Sequence, residues 1–207
     1  GEVASAMATS FIHTELGRWM SEGGLDANVR EIKRAMEICV DNANRSIFNA
    51  ANSNSLYAGM GTTLVMAVFQ GARAMVGHVG DSRCYRLRSG TLQQITRDHS
   101  LLQEQIDAGL ISVEQAQYAT HKNLVTRALG VEDTVLLEVN EYRVDDGDLY
   151  LFCSDGLSDM VSDERITALL MEEAPLDHIG RALIDAANGS GGRDNISVIL
   201  ATARAKP

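Results

Sequence analysis

The stretch from Thr62 to Thr96 limits what this chain can fold into more than any other part of it. Thr62 to Phe69 (TTLVMAVF) is rich in β-formers and ends at Gln70-Gly71. Arg73 to Val79 reads as a second strand and Arg83 to Leu87 as a third, with Arg88-Ser89-Gly90 as a hairpin turn into Leu92 to Thr96. A parallel partner needs a crossover of a dozen or more residues, and none of these gaps has room for one. The spacing therefore predicts antiparallel pairing.

Helices precede this block. Val3, Met7, Phe11 and Leu16, with Ile12, Trp19 and Met20 beside them, recur at helical spacing over residues 2–22, and Gly23-Gly24 stops the run. A second amphipathic pattern runs from Val29 through Ile32, Met36, Cys39, Val40, Ala43 and Ile47. Downstream, residues 99–130 read as a mostly helical insertion whose polar run Ser112 to Asn123 suits a surface flap. Thr134 to Val144 and Asp148 to Ser154 read as strands joined through the turn Asp145-Asp146-Gly147. Helices near 163–173 and 176–188, a Gly189-Ser190-Gly191-Gly192 loop and a last strand, Ile196 to Ala203, complete the pattern. Strands and helices grouped in this way predict a single α+β domain over residues 1–207.

Composition narrows the function classes. Acidic residues outnumber basic ones 28 to 18, a net charge of −10, which argues against nonspecific nucleic-acid binding. No apolar run is long enough to span a membrane. Cys39, Cys84 and Cys153 are odd in number and lie in apolar contexts, which predicts a reducing, cytoplasmic setting rather than a disulfide framework.

Three aspartates share an unusual placement. Asp81 lies in Gly80-Asp81-Ser82-Arg83, Asp155 follows the strand LYLFCS and precedes Gly156, and Asp194 follows Gly191-Gly192-Arg193 ahead of ISVIL. Each stands near a strand terminus and a glycine, where the backbone turns tightly and can approach a ligand. Turn chemistry explains any one of them. Together they offer the oxygen-only donor set that Mg²⁺ or Mn²⁺ uses. His13, His78, His99, His121 and His178 show no zinc-type spacing with the cysteines.

Five ordered segments then carry a family resemblance: Gly59-Met60-Gly61-Thr62-Thr63, Gly77-His78-Val79-Gly80-Asp81-Ser82-Arg83, Thr126-Arg127-Ala128-Leu129-Gly130, Ser154-Asp155-Gly156-Leu157 and Gly192-Arg193-Asp194-Asn195. In this order they resemble the metal-dependent serine/threonine protein phosphatases of the 2C type, bacterial branch. The resemblance implies a four-layer α-β-β-α sandwich of two antiparallel sheets flanked by helices. It implies a binuclear Mg²⁺ or Mn²⁺ centre with Asp155 and Asp194 as catalytic metal ligands, and Asp81 as ligand of a further, weaker ion shared with Asp155. The implied reaction is hydrolysis of phosphoserine and phosphothreonine in proteins, the products of a serine/threonine kinase, by a metal-bridging hydroxide attacking phosphorus in line. Asp159 has no ligand role in that pattern and is expected to be exposed. Arg127 is expected to make structural hydrogen bonds, and Arg193 is left open between structure and phosphate.

The chain departs from the family at its start. The family carries a metal-bridging aspartate in Asp-Gly-x-Gly-Gly, a further acidic residue and a phosphate-gripping arginine ahead of a Gly-Glu-x-Ala-Ser helix start, and this sequence opens at Gly1-Glu2-Val3-Ala4-Ser5. The expectation is an N-terminally incomplete catalytic domain lacking two strands. The alternative keeps the fold without the chemistry, as a regulatory domain that binds phosphoproteins or partner proteins. Cys39 to Ser46 also matches the Cys-x5-Arg-Ser spacing of cysteine-dependent phosphatases. It has no glycine, carries Asp41 and continues a helical apolar stripe, so Cys39 is expected to be a core residue.

Overall fold

The computed structural model describes residues 1–116 and 124–204. In chain order its elements are α1 (Glu2–Ser21), α2 (Val29–Ser53), β1 (Leu64–Gln70), β2 (Arg73–Val79), β3 (Arg83–Arg88), β4 (Thr91–Gln94), α3 (Leu101–Asp107), α4 (Val113–Ala116), β5 (Glu138–Arg143), β6 (Leu149–Cys153), α5 (Asp155–Ser158), α6 (Asp163–Leu170), α7 (Leu176–Gly189) and β7 (Val198–Thr202). They fall into two units. The first comprises Gly1–Gln70, Ala74–Gly80 and Asp98–Tyr142, and the second Gly71–Arg73, Asp81–Arg97 and Arg143–Pro207.

In the first unit, Asn28 starts α2 with a capping box. Its side chain accepts from the Arg30 and Glu31 N–H groups while the Glu31 carboxylate accepts from the Asn28 N–H. The face predicted for α2 is the one buried: Ile32, Met36, Cys39, Val40, Ala43 and Ile47 all belong to the core. Burying each of the larger side chains among them contributes about 1.5–3 kcal/mol. The Cys39 thiol lies in this core and its pKa is raised, chiefly by burial, so it behaves as a packing residue. The innermost face of α1 differs from expectation. Ala4, Ala8 and Ile12 are buried, Met7, Phe11, Leu16 and Trp19 pack at the flanks, and Val3 is exposed. α1 and α2 pack on each other, and the buried Ala4 and Ala8 share the core cluster with the α2 stripe. The strand order here is β1-β2-β5, with Gly71 turning at φ 56° between β1 and β2.

The second unit holds a four-stranded antiparallel sheet in the order β4-β3-β6-β7. Ser89 and Gly90 take φ 49° and 76°, the left-handed pair that a tight β3–β4 hairpin requires. Tyr85, Leu87, Leu149, Leu151 and Cys153 alternate onto one face and form a core with Leu157, Ile166, Leu169, Ile179 and Leu183 of the following helices.

Two tight connections are not hairpins. Gly80-Asp81-Ser82 joins β2 to β3, and the Asp145–Gly147 turn joins β5 to β6, yet each connects strands of different sheets. A short turn forbids parallel pairing but does not oblige its two flanking strands to pair. β5 also starts four residues later than expected, at Glu138. The insertion carries α3 and α4, and part of the expected flap, residues 117–123, lies outside the described residues. The class is the one expected: α+β, two antiparallel sheets flanked by helices.

Candidate metal centre

Strand β6 ends at Cys153, and Asp155 opens the short helix α5 two residues later. Strand β7 runs alongside with Cys153 opposite Val198, and the pairing continues past its end. The Ser154 N–H donates to the Ser197 carbonyl at 3.1 Å, the Ser197 N–H donates to Ser154 Oγ at 3.0 Å, and Ser154 Oγ–H donates to the Asn195 carbonyl at 3.1 Å. One hydroxyl thus closes the loop before β7 onto the start of α5. Gly156 lets the two backbones meet, because a Cβ there would collide with the Asn195 carbonyl oxygen. Asp194 is the next residue along, exposed, with its Oδ1 accepting from the Asn195 N–H at 2.6 Å.

The electrostatics carry the mark of this arrangement. The Asp155 carboxyl is held above the usual range, first by partial burial, then by the charges of Asp194 and Asp159. Two negative groups therefore act on a third that the fold has partly removed from water. A divalent cation among these oxygens would offset that repulsion, and the donor set is the one hard cations use. In the chemistry of their donor atoms, Asp155 and Asp194 are compatible with such an ion.

Asp81 reaches the same end of the sheet by a different strand. In the β3–β6 register Arg83 faces Cys153, so Asp81, two residues before the start of β3, and Asp155, two residues after the end of β6, both lie beyond the same end of the sheet. Asp81 is buried, unlike Asp194. The three predicted residues are thus brought to one end of one sheet by β3, β6 and the approach to β7.

Other features were not read from the sequence. The sequence places Ser154 at the end of a strand, and only the β6–β7 register reveals it as a bridge. Asp159 is exposed as expected, but its charge reaches Asp155. In the first unit, His78, His99 and Glu138 place ligand-capable atoms within 4.8 Å of one another, although their sequence spacing follows no metal motif.

Comparison with known proteins decides the family. Residues 1–200 match the model of the family described as Protein phosphatase 2C. The chain belongs to the protein phosphatase 2C family. The serine/threonine phosphatase Stp of Listeria monocytogenes is 36% identical over 200 residues, covering 97% of this chain and 78% of its own. The protein phosphatase PhpP of Streptococcus pneumoniae is 32% identical over 200 residues, 97% of this chain and 79% of its own. Among solved structures, the serine/threonine phosphatase PstP of Mycobacterium tuberculosis superposes with TM-score 0.85 at 33% identity, covering 99% of this chain and 85% of that one. A PstP catalytic domain in complex with two manganese ions gives TM-score 0.84 at 33% identity, over 99% and 82%. The enzyme class expected from the five segments, a protein serine/threonine phosphatase, is the class of this family. Among the described residues of this phosphatase, no helix is long and apolar enough to cross a membrane.

Proposed function

We propose that Asp155 and Asp194 hold a binuclear Mg²⁺ or Mn²⁺ centre, with Asp81 holding a further, weaker ion shared with Asp155. This centre hydrolyses phosphoserine and phosphothreonine in proteins phosphorylated by a serine/threonine kinase. The observation that carries the proposal is the β6–β7 closure, in which the charge of Asp194 acts on a partly buried Asp155. The two manganese ions of the related PstP structure support the ion count.

When bound at Asp155 and Asp194, the ions would supply an acidified water as nucleophile and would offset the charge of the phosphoryl oxygens. The chain's own residues determine where that happens. Ser154 holds the Asp194 loop against the start of α5, so that neither carboxylate has to be ordered when the substrate arrives. Asp194 and Arg193 are exposed, which leaves this side of the site open to a phosphate carried on a protein surface. Since one family model spans residues 1–200, the two units are read as parts of one catalytic domain. The three free, buried cysteines suit a reducing, cytoplasmic setting.

The test is phosphate release from a phosphothreonine peptide by the intact protein with Mn²⁺, with EDTA, and in the Asp155→Asn variant. Release that needs Mn²⁺ and Asp155 supports the reading. Peptide binding with no release under any condition supports the regulatory alternative.

A further inference from the structure

Gly80 is the last residue before Asp81, and its backbone is unusually constrained. Its φ is +101°, and a Cβ there would run into the Thr63 side chain and lie 3.3 Å from the Arg127 carbonyl. His99 holds this residue from both sides of its peptide. The His99 N–H donates to the Gly80 carbonyl at 2.9 Å, and the Gly80 N–H donates to His99 Nδ1 at 3.1 Å. His99 is anchored in turn, its carbonyl accepting from the Thr126 N–H at 2.9 Å, and its ring is buried and stacked on His78 with centroids 4.5 Å apart.

The direction of the Gly80 bond fixes the chemistry of the ring. An Nδ1 that accepts a backbone N–H has its lone pair exposed there, so the ring proton is on Nε2. Nε2 faces Glu138 Oε2 at 3.2 Å, and the Glu138 carboxylate takes that proton as a hydrogen bond. Asn140 Nδ2 donates to the other Glu138 oxygen at 3.1 Å, which orients the carboxylate. The pKa directions agree with a neutral ring beside an ionised acid. Burial lowers that of His99. For Glu138, burial acts to raise the pKa, but the hydrogen bonds and nearby imidazoles outweigh it and the net shift is downward.

This tautomer also answers the metal question raised by the same three residues. A cation among His78, His99 and Glu138 would take the Nε2 lone pair and drive the proton to Nδ1, where the Gly80 N–H already points. Two donors would then face each other. A ligating histidine normally directs its second nitrogen, as a donor, at an acceptor, which is the reverse of what is found.

We infer that His99 is a positioning residue for Asp81: as the Nε2–H tautomer that donates to Glu138, it clamps the Gly80 backbone from which Asp81 extends. The inference rests on the reading of Asp81 as a metal ligand, and its test separates the two. Long-range ¹H–¹⁵N spectra of the intact protein at neutral pH should show the His99 proton on Nε2, unchanged by added Zn²⁺ or Mn²⁺. Mn²⁺ titrations should show His99→Ala weakening the Asp81-dependent ion by about tenfold or more, the size expected when an outer partner of a ligand is lost. His99→Asn, whose Oδ1 can replace Nδ1 as acceptor for Gly80, should restore most of that affinity. A proton on Nδ1 overturns the inference. So does a folded His99→Ala with wild-type Mn²⁺ affinity, or a His99→Asn as damaged as the alanine variant. If the alanine variant does not fold, the spectrum and His99→Asn decide. Wild-type protein showing no Asp155-dependent Mn²⁺ binding overturns the metal-centre reading itself, and the inference with it.

Discussion

Strand β6 carries an aspartate just beyond each end, and the two ends are built on opposite principles. At its start, Asp148 is almost fully buried and is gripped by Arg88 through Nε at 2.7 Å and Nη2 at 2.6 Å. The Asp145 N–H and the Tyr150 hydroxyl donate to it as well. Burial alone would raise its pKa, but these partners outweigh burial and hold it below the usual range. At the far end, the Asp155 carboxyl is held above the usual range, first by partial burial and then by the like charges of Asp194 and Asp159. A structural carboxylate brings its counter-charge within the fold. The other end gathers negative charge, which the proposed ion would offset.

The largest expected effect tests the far end. Asp155→Asn should lower turnover by about 10³-fold or more, since several kcal/mol of transition-state charge stabilisation depend on the ions it holds. Its metal-free stability should not fall, because the substitution removes a repelled charge. Near-normal turnover in that variant would break the contrast. The opposite substitution comes next. Asp148→Asn should cost about 3 kcal/mol in urea unfolding, because it leaves Arg88 without its buried partner, while kcat of the folded protein stays near wild type. A drop in kcat with unchanged stability would reverse the assignment of the two ends.

A smaller effect probes the bridge. Ser154→Ala removes the hydroxyl that both accepts from Ser197 and donates to Asn195, with an expected cost of about 1–2 kcal/mol and weaker Mn²⁺ binding. Unchanged Mn²⁺ affinity would show that the loop holds Asp194 without it. The mildest effect is the pH dependence, where the signs differ. The folded pKa of Asp148 is depressed, so its contribution is present at neutral pH and lost as pH falls through that value. The folded pKa of Asp155 is raised, so in metal-free protein its ionisation removes stability as pH rises through that value. Mn²⁺ should therefore raise Tm more at neutral pH than at pH below the carboxylate range, and an equal rise at both would count against the site.

How far the sequence could be read follows the range of the interactions. The capping box of α2, its buried stripe and the Ser89-Gly90 turn are local, and residues a few positions apart declare them. The three aspartates were legible as strand-end residues beside glycines, but not as sharing one end of a sheet, because β3, β6 and β7 come together only through the sheet order. The same limit hid the two inter-sheet turns, since a turn does not state which sheet its next strand joins. Ser154 and the His99 clamp were hidden for the related reason that a hydroxyl's partner or a ring's tautomer is set by backbone groups remote in sequence.

Anomalous diffraction from crystals grown with Mn²⁺ tests the central claim most directly. The account predicts peaks about 2.1 Å from carboxylate oxygens of Asp155 and Asp194, and a weaker one at Asp81. Manganese absent from those oxygens, or found between His78, His99 and Glu138 instead, would contradict it.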